Sequence, residues 1–264
     1  MSEFNMLVGA TLRIYGDALR DSARGLVSHF WIIGLIPAYT VLLGISGAFT
    51  MRLGFAGGLI QYLAMAACVS SFLAVIGEAV ARQRVRFDGM AQTFGQYFGR
   101  VISVFFIFWI IDLLLSVVAQ GSPDVVWFVL FVKIAIFVVF NAVPELIYQG
   151  HYDGTALLSE AFQFVRANTI EWLLPAFLMM APFFLIDVRT GFLAMARLSP
   201  TNALDFAIGA MQTLVPLSGS AASLVATLLA SVLLTWIVLF RGFLFKALHR
   251  GGRRQRIFAA RMRG

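Results

Sequence analysis

Two charged residues, Asp112 and Lys133, stand in the middle of long apolar stretches of the sequence. Asp112 interrupts the apolar run 101–119, Lys133 interrupts the run 125–143, and a short polar turn separates the two runs. If the runs are antiparallel helices, a rise of roughly 1.5 Å per residue puts each charge about 13 Å from the turn, near the centre of a ~30 Å hydrocarbon layer. The spacing therefore predicts a buried ion pair between the two arms of a membrane hairpin.

This predicted pair has two interpretations. Charged side chains inside a membrane are costly and often serve a function, which would make Asp112 and Lys133 a proton or ion relay, or a site for a polar headgroup. Opposite charges at the same depth also neutralise each other and set the register of two helices, and that role needs no ligand. The second interpretation is the simpler one, and we favour it at this stage.

Three further charges lie at the same ends of the second, fourth and sixth predicted membrane helices, namely Glu78, Glu145 and Arg241. If three hairpins surround one axis, these side chains can meet as a Glu–Arg–Glu cluster, although charges at helix ends are usually solvated. Proline kinks a helix or lines a path where a membrane helix is broken. The candidates for such positions are Pro144, Pro175 and Pro182.

One motif has the form of a catalytic site. The segment 44–47 reads Gly-Ile-Ser-Gly, similar to the G-x-S-G of rhomboid-type intramembrane serine proteases, in which serine must lie within hydrogen-bond reach of a histidine. Ser46 lies about 24 Å from the start of its predicted helix, whereas His29, His151 and His249 lie at or beyond that end of their helices. We therefore regard the match as chance. Three scattered histidines and one cysteine predict no metal site, no cofactor and no enzymatic activity.

The composition indicates a membrane protein. Hydrophobic residues make up 60% of the 264 residues and charged residues only 12%, with a mean hydropathy of +0.88. Soluble domains carry roughly a quarter charged residues, so a water-soluble fold of this length has too little polar surface to cover its apolar side chains.

The hydrophobic pattern predicts an all-α polytopic protein with six transmembrane helices arranged as three hairpins. An amphipathic stretch precedes each hairpin, and the triplets Phe-Asp-Gly at 87–89 and Tyr-Asp-Gly at 152–154 mark two of these entries. We therefore propose one membrane domain, 1–264, with pseudo-repeats 1–81, 82–148 and 149–249 and a basic tail 250–264. The predicted membrane helices are 30–50, 55–81, 101–119, 125–143, 172–186 and 221–240.

Basic residues predict the orientation of these helices. With six crossings, the amphipathic stretches and both termini share one side and carry sixteen of the twenty Lys and Arg residues, against three in the opposite loops. The positive-inside rule then puts both termini in the cytoplasm. The basic tail is expected to contact anionic lipid headgroups, and nucleic acid is not an expected partner.

Several short segments resemble the YciC-like family of six-span bacterial inner-membrane proteins. They are Ala-Arg-Gln-Arg-Val at 81–85, Pro144, the stretch 159–168, and Arg241 in the sequence Leu-Phe-Arg. More distantly, the chain is similar to the membrane domain attached to some glycerophosphodiester phosphodiesterases. The resemblance implies six helices, amphipathic cytoplasmic connectors and no established chemistry, and no functional residue is carried over from it.

These observations predict a non-catalytic protein of the bacterial inner membrane that acts through lipids or protein partners, or as a homo-oligomer. Its role would be envelope maintenance or service as the membrane subunit of a larger assembly. The alternative is a transporter or permease subunit for a lipid or small solute. In that case Asp112, Lys133 and the prolines of the fifth helix would lie near the path.

Overall fold

The computed structural model describes residues 3–81, 90–120, 125–186 and 220–250, and within these ranges the chain forms helices and no strands. Short 3-10 turns at Phe30–Gly34 and Met51–Leu53 precede the second and third α-helices. The α-helices are α1 Glu3–Ser28, α2 Leu35–Thr50, α3 Gly54–Ala81, α4 Met90–Gln96, α5 Phe98–Ala119, α6 Val125–Val139, α7 Val143–Gln149, α8 Gly154–Ala167, α9 Thr169–Ile186 and α10 Ser220–Arg250.

The described helices are those of an all-α polytopic membrane protein, as the sequence predicts. Four helical stretches are long and apolar enough to cross a membrane: Phe30–Ala81, Phe98–Ala119, Trp127–Gln149 and Leu224–His249. The helix α9 is apolar as well but shorter. The count of six crossings, which requires α9, stays a prediction.

The first of these stretches is folded back on itself. Gln61 of α3 donates a hydrogen bond to the Leu43 carbonyl of α2 at 3.0 Å, and the Tyr39 and Ser71 hydroxyls lie 2.7 Å apart. Of these two contacts, the one that is farther from the turn on α2 is also farther from the turn on α3. This pattern is typical of antiparallel helices. The turn is closed by Gly54, whose φ of 56° is a conformation that glycine adopts without strain.

The connector helices α1, α4 and α8 pack in a cyclic order. The helix α4 contacts α3, α8 contacts α6 and α7, and α1 contacts α10 at the far end of the sequence. In addition, α3, α7 and α10 contact one another at the centre. Each connector therefore lies on the second arm of the preceding pseudo-repeat, with 149–249 followed by 1–81. We call the end where these helices lie the connector end, and the opposite one the turn end.

The helix α1 has three faces rather than the two that the sequence predicted. Ala18 and Ser22 are buried where α1 packs on α10, whereas the apolar side chains of Leu12 and Leu19 are exposed. The exposed charged side chains that form the third face are Arg13, Asp17, Arg20 and Arg24. The helix is thus a structural part of the bundle that also presents an apolar edge.

The helix break near Pro144 precedes the proline instead of following it. The helix α6 ends at Val139, residues 140–142 form a turn, and α7 begins at Val143 with Pro144 in its first turn. Proline has no N–H to donate, and its fixed φ suits the first turn of a helix. Pro144 therefore starts α7, where the sequence had suggested a helix end.

The structure also differs from the sequence-based prediction at the prolines of α9 and at the end of the last helix. The helix α9 continues through Pro175 and Pro182 without interruption, and the side chain of Pro182 lies outside the described residues. The last helix extends ten residues beyond its predicted end, to Arg250. The hairpin turn 121–124, the long segment 187–219 and the basic tail from 251 onward lie outside the described ranges.

Candidate functional site

Arg241 of α10 is held by four hydrogen bonds at the connector end. Its Nε donates to Glu145 Oε1 at 2.7 Å and its Nη2 to Glu145 Oε2 at 3.0 Å, a bidentate pair. Its Nη1 donates to Asn141 Oδ1 at 2.7 Å, and Nη2 also donates to the Asn141 carbonyl. This carbonyl lies in the helix break before Pro144, so the break supplies one of the acceptors.

An aromatic ring closes the remaining side of this guanidinium group. The centroid of the buried Trp172 ring of α9 lies 4.7 Å from Arg241 Cζ, a cation–π contact. The Glu145 side chain is only 1% exposed and that of Arg241 17%. The pair is therefore enclosed and satisfied by protein groups from α7, α9, α10 and the turn before α7.

Glu78 does not join this cluster. It is half-buried on α3 and forms no ion pair with Arg241 in the part of the chain that the structure describes. Asn141 and Trp172 occupy the sides of the guanidinium group that the second glutamate was expected to fill. Glu78 instead acts on Tyr97: burial raises the pKa of that phenol, Arg100 and a hydrogen bond from Gln96 lower it, and the charge of Glu78 raises it.

Two glycines let the three central helices approach closely beside this pair. A Cβ atom on Gly242 of α10 would lie 2.6 Å from Tyr148 Oη and 2.7 Å from Val80 Cγ2. One on Gly77 of α3 would lie 3.2 Å from Tyr148 Cβ. Small residues permit such approaches between membrane helices. The Tyr148 side chain therefore fills the space where α3, α7 and α10 converge, and this closes the centre of the connector end.

Further hydrogen bonds join the pseudo-repeats at this end. Lys246 Nζ of α10 donates to the Val80 carbonyl at the end of α3, and Gln149 of α7 donates to the Gly242 carbonyl, each at 3.0 Å. Cationic side chains at helix C-termini also complement the helix dipole.

The connector helices are tied to the bundle by side-chain hydroxyls and one arginine. The hydroxyls of Ser71 and Thr93 lie 2.6 Å apart and join α3 to α4. Arg100 of α5 bonds Asp153 at 2.6 Å and donates to the Ile147 and Gly150 carbonyls at 3.0 Å. These contacts fix α4 and the segment between α7 and α8 in place.

The second ion pair, Asp112 with Lys133, lies nearer the turn end. Lys133 Nζ of α6 is 3.2 Å from Asp112 Oδ1 of α5, so the structure brings the two charges together across the hairpin. The other helices do not enclose the pair, because the Asp112 side chain is 61% exposed and that of Lys133 39%. Its burial within a membrane stays a prediction. The two long apolar stretches that contain α5 and most of α6, Phe98–Ala119 and Trp127–Gln149, are 22% and 17% buried, against 44% for Phe30–Ala81 and 33% for Leu224–His249.

The position of Asp112 on α5 shows which side of the hairpin carries the pair. Phe105 lies two helical turns earlier on the same face, and its ring centroid is 5.7 Å from that of Tyr62 on α3. The Tyr62 ring therefore lies toward the face of α5 that carries Asp112. The pair thus lies on the side of the hairpin that faces α3. We call the group of Tyr62, Asp112 and Lys133 the mid-span site.

The mid-span pair leaves much of its hydrogen-bonding capacity unused. A carboxylate accepts up to about four hydrogen bonds and an ammonium donates three. Among the described residues Asp112 and Lys133 form one contact, with each other. The site can therefore accept further donors at Asp112 and further acceptors at Lys133.

The remaining candidates form no catalytic arrangement. His29, which follows α1, lies within hydrogen-bond distance of the Gly25 carbonyl of α1, and the Ser46 carbonyl accepts a bond from Thr50. Within the described ranges no three His, Cys, Asp or Glu side chains are grouped so as to hold a metal ion. Pro175 is half-buried in α9.

Sequence reasoning anticipated the Glu145–Arg241 contact but missed the two other partners of Arg241. Asn141 and Trp172 were passed over because each is a single residue within a long segment, and no spacing rule points to them. The signal for Asn141 was its amide within an apolar stretch, four residues before a glutamate and three before a proline. Polar residues inside membrane helices commonly bond across to another helix.

Comparison with protein-family models, curated proteins and solved structures found no match to this chain. The resemblance to the YciC-like family stays a prediction.

Proposed function

We propose that this protein is a non-catalytic component of the bacterial inner membrane that acts by binding lipids or partner proteins. The observation that supports this most is the closed connector end. A solute crossing along the centre of the bundle would have to pass the convergence of α3, α7 and α10 around Tyr148, where a methyl group on Gly242 finds no space.

The same end also contains the enclosed Arg241–Glu145 pair. Removing either partner would leave an unpaired charge away from water, which is strongly unfavourable. An element held this firmly is suited to a fixed scaffold. We therefore propose that lipids or partner proteins bind to the exposed surfaces of the protein, including the apolar edge of α1 and the mid-span site.

The proposal includes six crossings with both termini in the cytoplasm. The excess of Lys and Arg in the segments that contain the connector helices supports this orientation. The connector end would then face the cytoplasm. The basic tail 250–264 would contact anionic headgroups there, each basic residue contributing about 1 kcal/mol near the surface.

The alternative function, a transporter or permease subunit for a lipid or small solute, is favoured by the exposure of the mid-span pair. A transporter must also open the connector end during its cycle. Binding and transport therefore differ in whether water reaches the residues around Tyr148.

Cysteine labelling distinguishes the two functions. In a Cys68→Ser background, Ala79→Cys places a thiol in the buried part of α3, and His151→Cys places one at an exposed position of the connector end. A membrane-impermeant maleimide is applied from each side in intact cells and inverted vesicles. We expect His151→Cys to react from one side and Ala79→Cys to stay at background from both. Labelling of Ala79→Cys from either side would contradict the proposed function and support transport.

A further inference from the structure

We propose that the mid-span site binds a zwitterion, a small group that carries an ammonium and an acid function together. The inference rests on the proposed function, because it names the class of ligand that this binding protein holds. Asp112 accepts hydrogen bonds from the ammonium, and Lys133 donates to the acid group. Two helical turns before Asp112, the Phe105 ring packs on Tyr62 of α3 on the same side of the hairpin.

The charge of the site selects a ligand of zero net charge. Asp112 and Lys133 cancel each other at 3.2 Å. A purely cationic or anionic ligand would add an uncompensated charge in surroundings of low dielectric constant, which is costly. A zwitterion brings one charge of each sign. Together with Asp112 and Lys133, its two charges form a set of four in which positive and negative charges alternate. Complementary charge patterns of this kind suppress wrong partners.

The free atoms of the site match this arrangement. Asp112 contacts Lys133 through Oδ1, and its Oδ2 accepts no bond from the described residues. Lys133 keeps two further N–H donors. The exposed fractions of the two side chains, 61% and 39%, leave room for a ligand to reach both.

Two sources supply this chemistry. One is a soluble zwitterion, such as an amino acid, that enters from the turn end. The other is a phospholipid headgroup with a primary ammonium and a phosphate, of the phosphoethanolamine kind. Asp112 lies seven residues before the end of α5, about 10 Å along the helix, so a headgroup would reach it by sinking along the hairpin.

Thermal unfolding of the full-length protein in detergent tests the inference, with tryptophan fluorescence as the readout. The probes are glycine, glycerophosphoethanolamine, and phosphatidylethanolamine in mixed micelles. Ethylamine and propionate carry one charge each, and betaine has a quaternary nitrogen without N–H donors. At a hundredfold excess over Kd, we expect a binding zwitterion to raise Tm by about 5–10 °C, and the single-charge probes and betaine to have little effect.

Three variants identify the site. Asp112→Leu/Lys133→Met removes both charges and should lose the shift, while Ser116→Ala, one turn beyond Asp112 and also exposed, should keep it. The exchange variant Asp112→Lys/Lys133→Asp keeps one charge of each sign and should retain a shift. A shift with soluble glycerophosphoethanolamine or glycine assigns a soluble ligand, and a shift with the phospholipid alone assigns a headgroup.

The inference is overturned if no zwitterion shifts Tm, or if the doubly apolar variant shifts as the wild type does. It is also overturned if that variant changes the mass of the solubilised particle by one protomer, because the pair would then hold a second copy. None of these results depends on labelling at Ala79, so the inference and the proposed function can fail separately.

Discussion

The two ion pairs of this protein join the same kinds of groups in opposite surroundings. Arg241 and Glu145 are enclosed by α7, α9 and α10, and the guanidinium group has a protein partner on each side. Asp112 and Lys133 form a single contact and are largely exposed. The two ion pairs therefore differ in how much of their hydrogen-bonding capacity the protein itself uses.

The difference follows from where the pairs lie along the bundle. At the connector end three central helices and three connector helices converge, so many groups are available to surround a charge. Toward the turn end, Asp112 and Lys133 find no further partners among the described residues. The four predictions below test this comparison, from the largest expected effect to the smallest.

Arg241→Met should have the largest effect. It leaves Glu145 buried without a counter-charge, and breaking such a pair typically costs about 3–5 kcal/mol. Arg241→Lys keeps the charge but loses the planar fork that reaches both Glu145 and Asn141, so it should fall between the methionine variant and the wild type. Yield and thermal unfolding in detergent measure both. A wild-type melting curve for Arg241→Met would show that the enclosed pair is not structural.

Lys133→Met should cost less, because its partner is already exposed. An unpaired Asp112 within the membrane lowers the favourable free energy of insertion by about 2–3 kcal/mol. Asp112→Leu/Lys133→Met should recover the yield, because no charge is stranded. The amount of membrane-inserted protein is the readout. A double variant as poor as the single one would argue against direct pairing of the two residues.

Gly242→Ala should cost about 1–3 kcal/mol, because the added methyl group meets Tyr148 and Val80 at distances that atoms do not tolerate. The matched control is Gly99→Ala in α5, where no atom lies within 4 Å of the new methyl group. That control should be neutral or slightly stabilising. Melting temperatures of the purified variants decide the matter, and equal values for the two would mean that the connector end is loosely packed.

Tyr15→Phe should have the smallest effect, with a distinctive pH dependence. The Tyr15 hydroxyl of α1 donates to the Glu171 carbonyl at 2.8 Å, and losing this bond costs about 1 kcal/mol. Burial, followed by the charge of Glu171, raises the pKa of Tyr15 from 10.0 to about 12. The unfolded chain loses this proton first, so the contribution is fully present below pH 10 and disappears between pH 10 and 12.

The wild type should therefore lose melting temperature faster than Tyr15→Phe as the pH rises through that window. Below it, the difference between the two proteins should be constant. Parallel curves across the whole range would show that the Tyr15 contact does not hold α1 against the bundle.

The sequence by itself determined that the protein lies in a membrane and that it is helical. Long apolar runs satisfy their backbone only as helices in a membrane, so the all-α class and most helix positions followed from composition and length. The constant rise per residue of a helix also put Asp112 and Lys133 at one level, because the two residues are equally far from the turn on antiparallel helices. These properties depend on local geometry, which neighbouring helices do not change.

The tertiary structure decided which charges are enclosed and which stay open. Glu78 and Glu145 occupy similar positions in their pseudo-repeats, yet only Glu145 meets Arg241, because the turn at 140–142 directs Asn141 toward the same guanidinium group. The exposure of the mid-span pair depends likewise on how far α5 and α6 lie from the other helices. Burial and the choice of partners depend on packing between segments that are distant in sequence. The spacing of residues along the chain does not predict that packing.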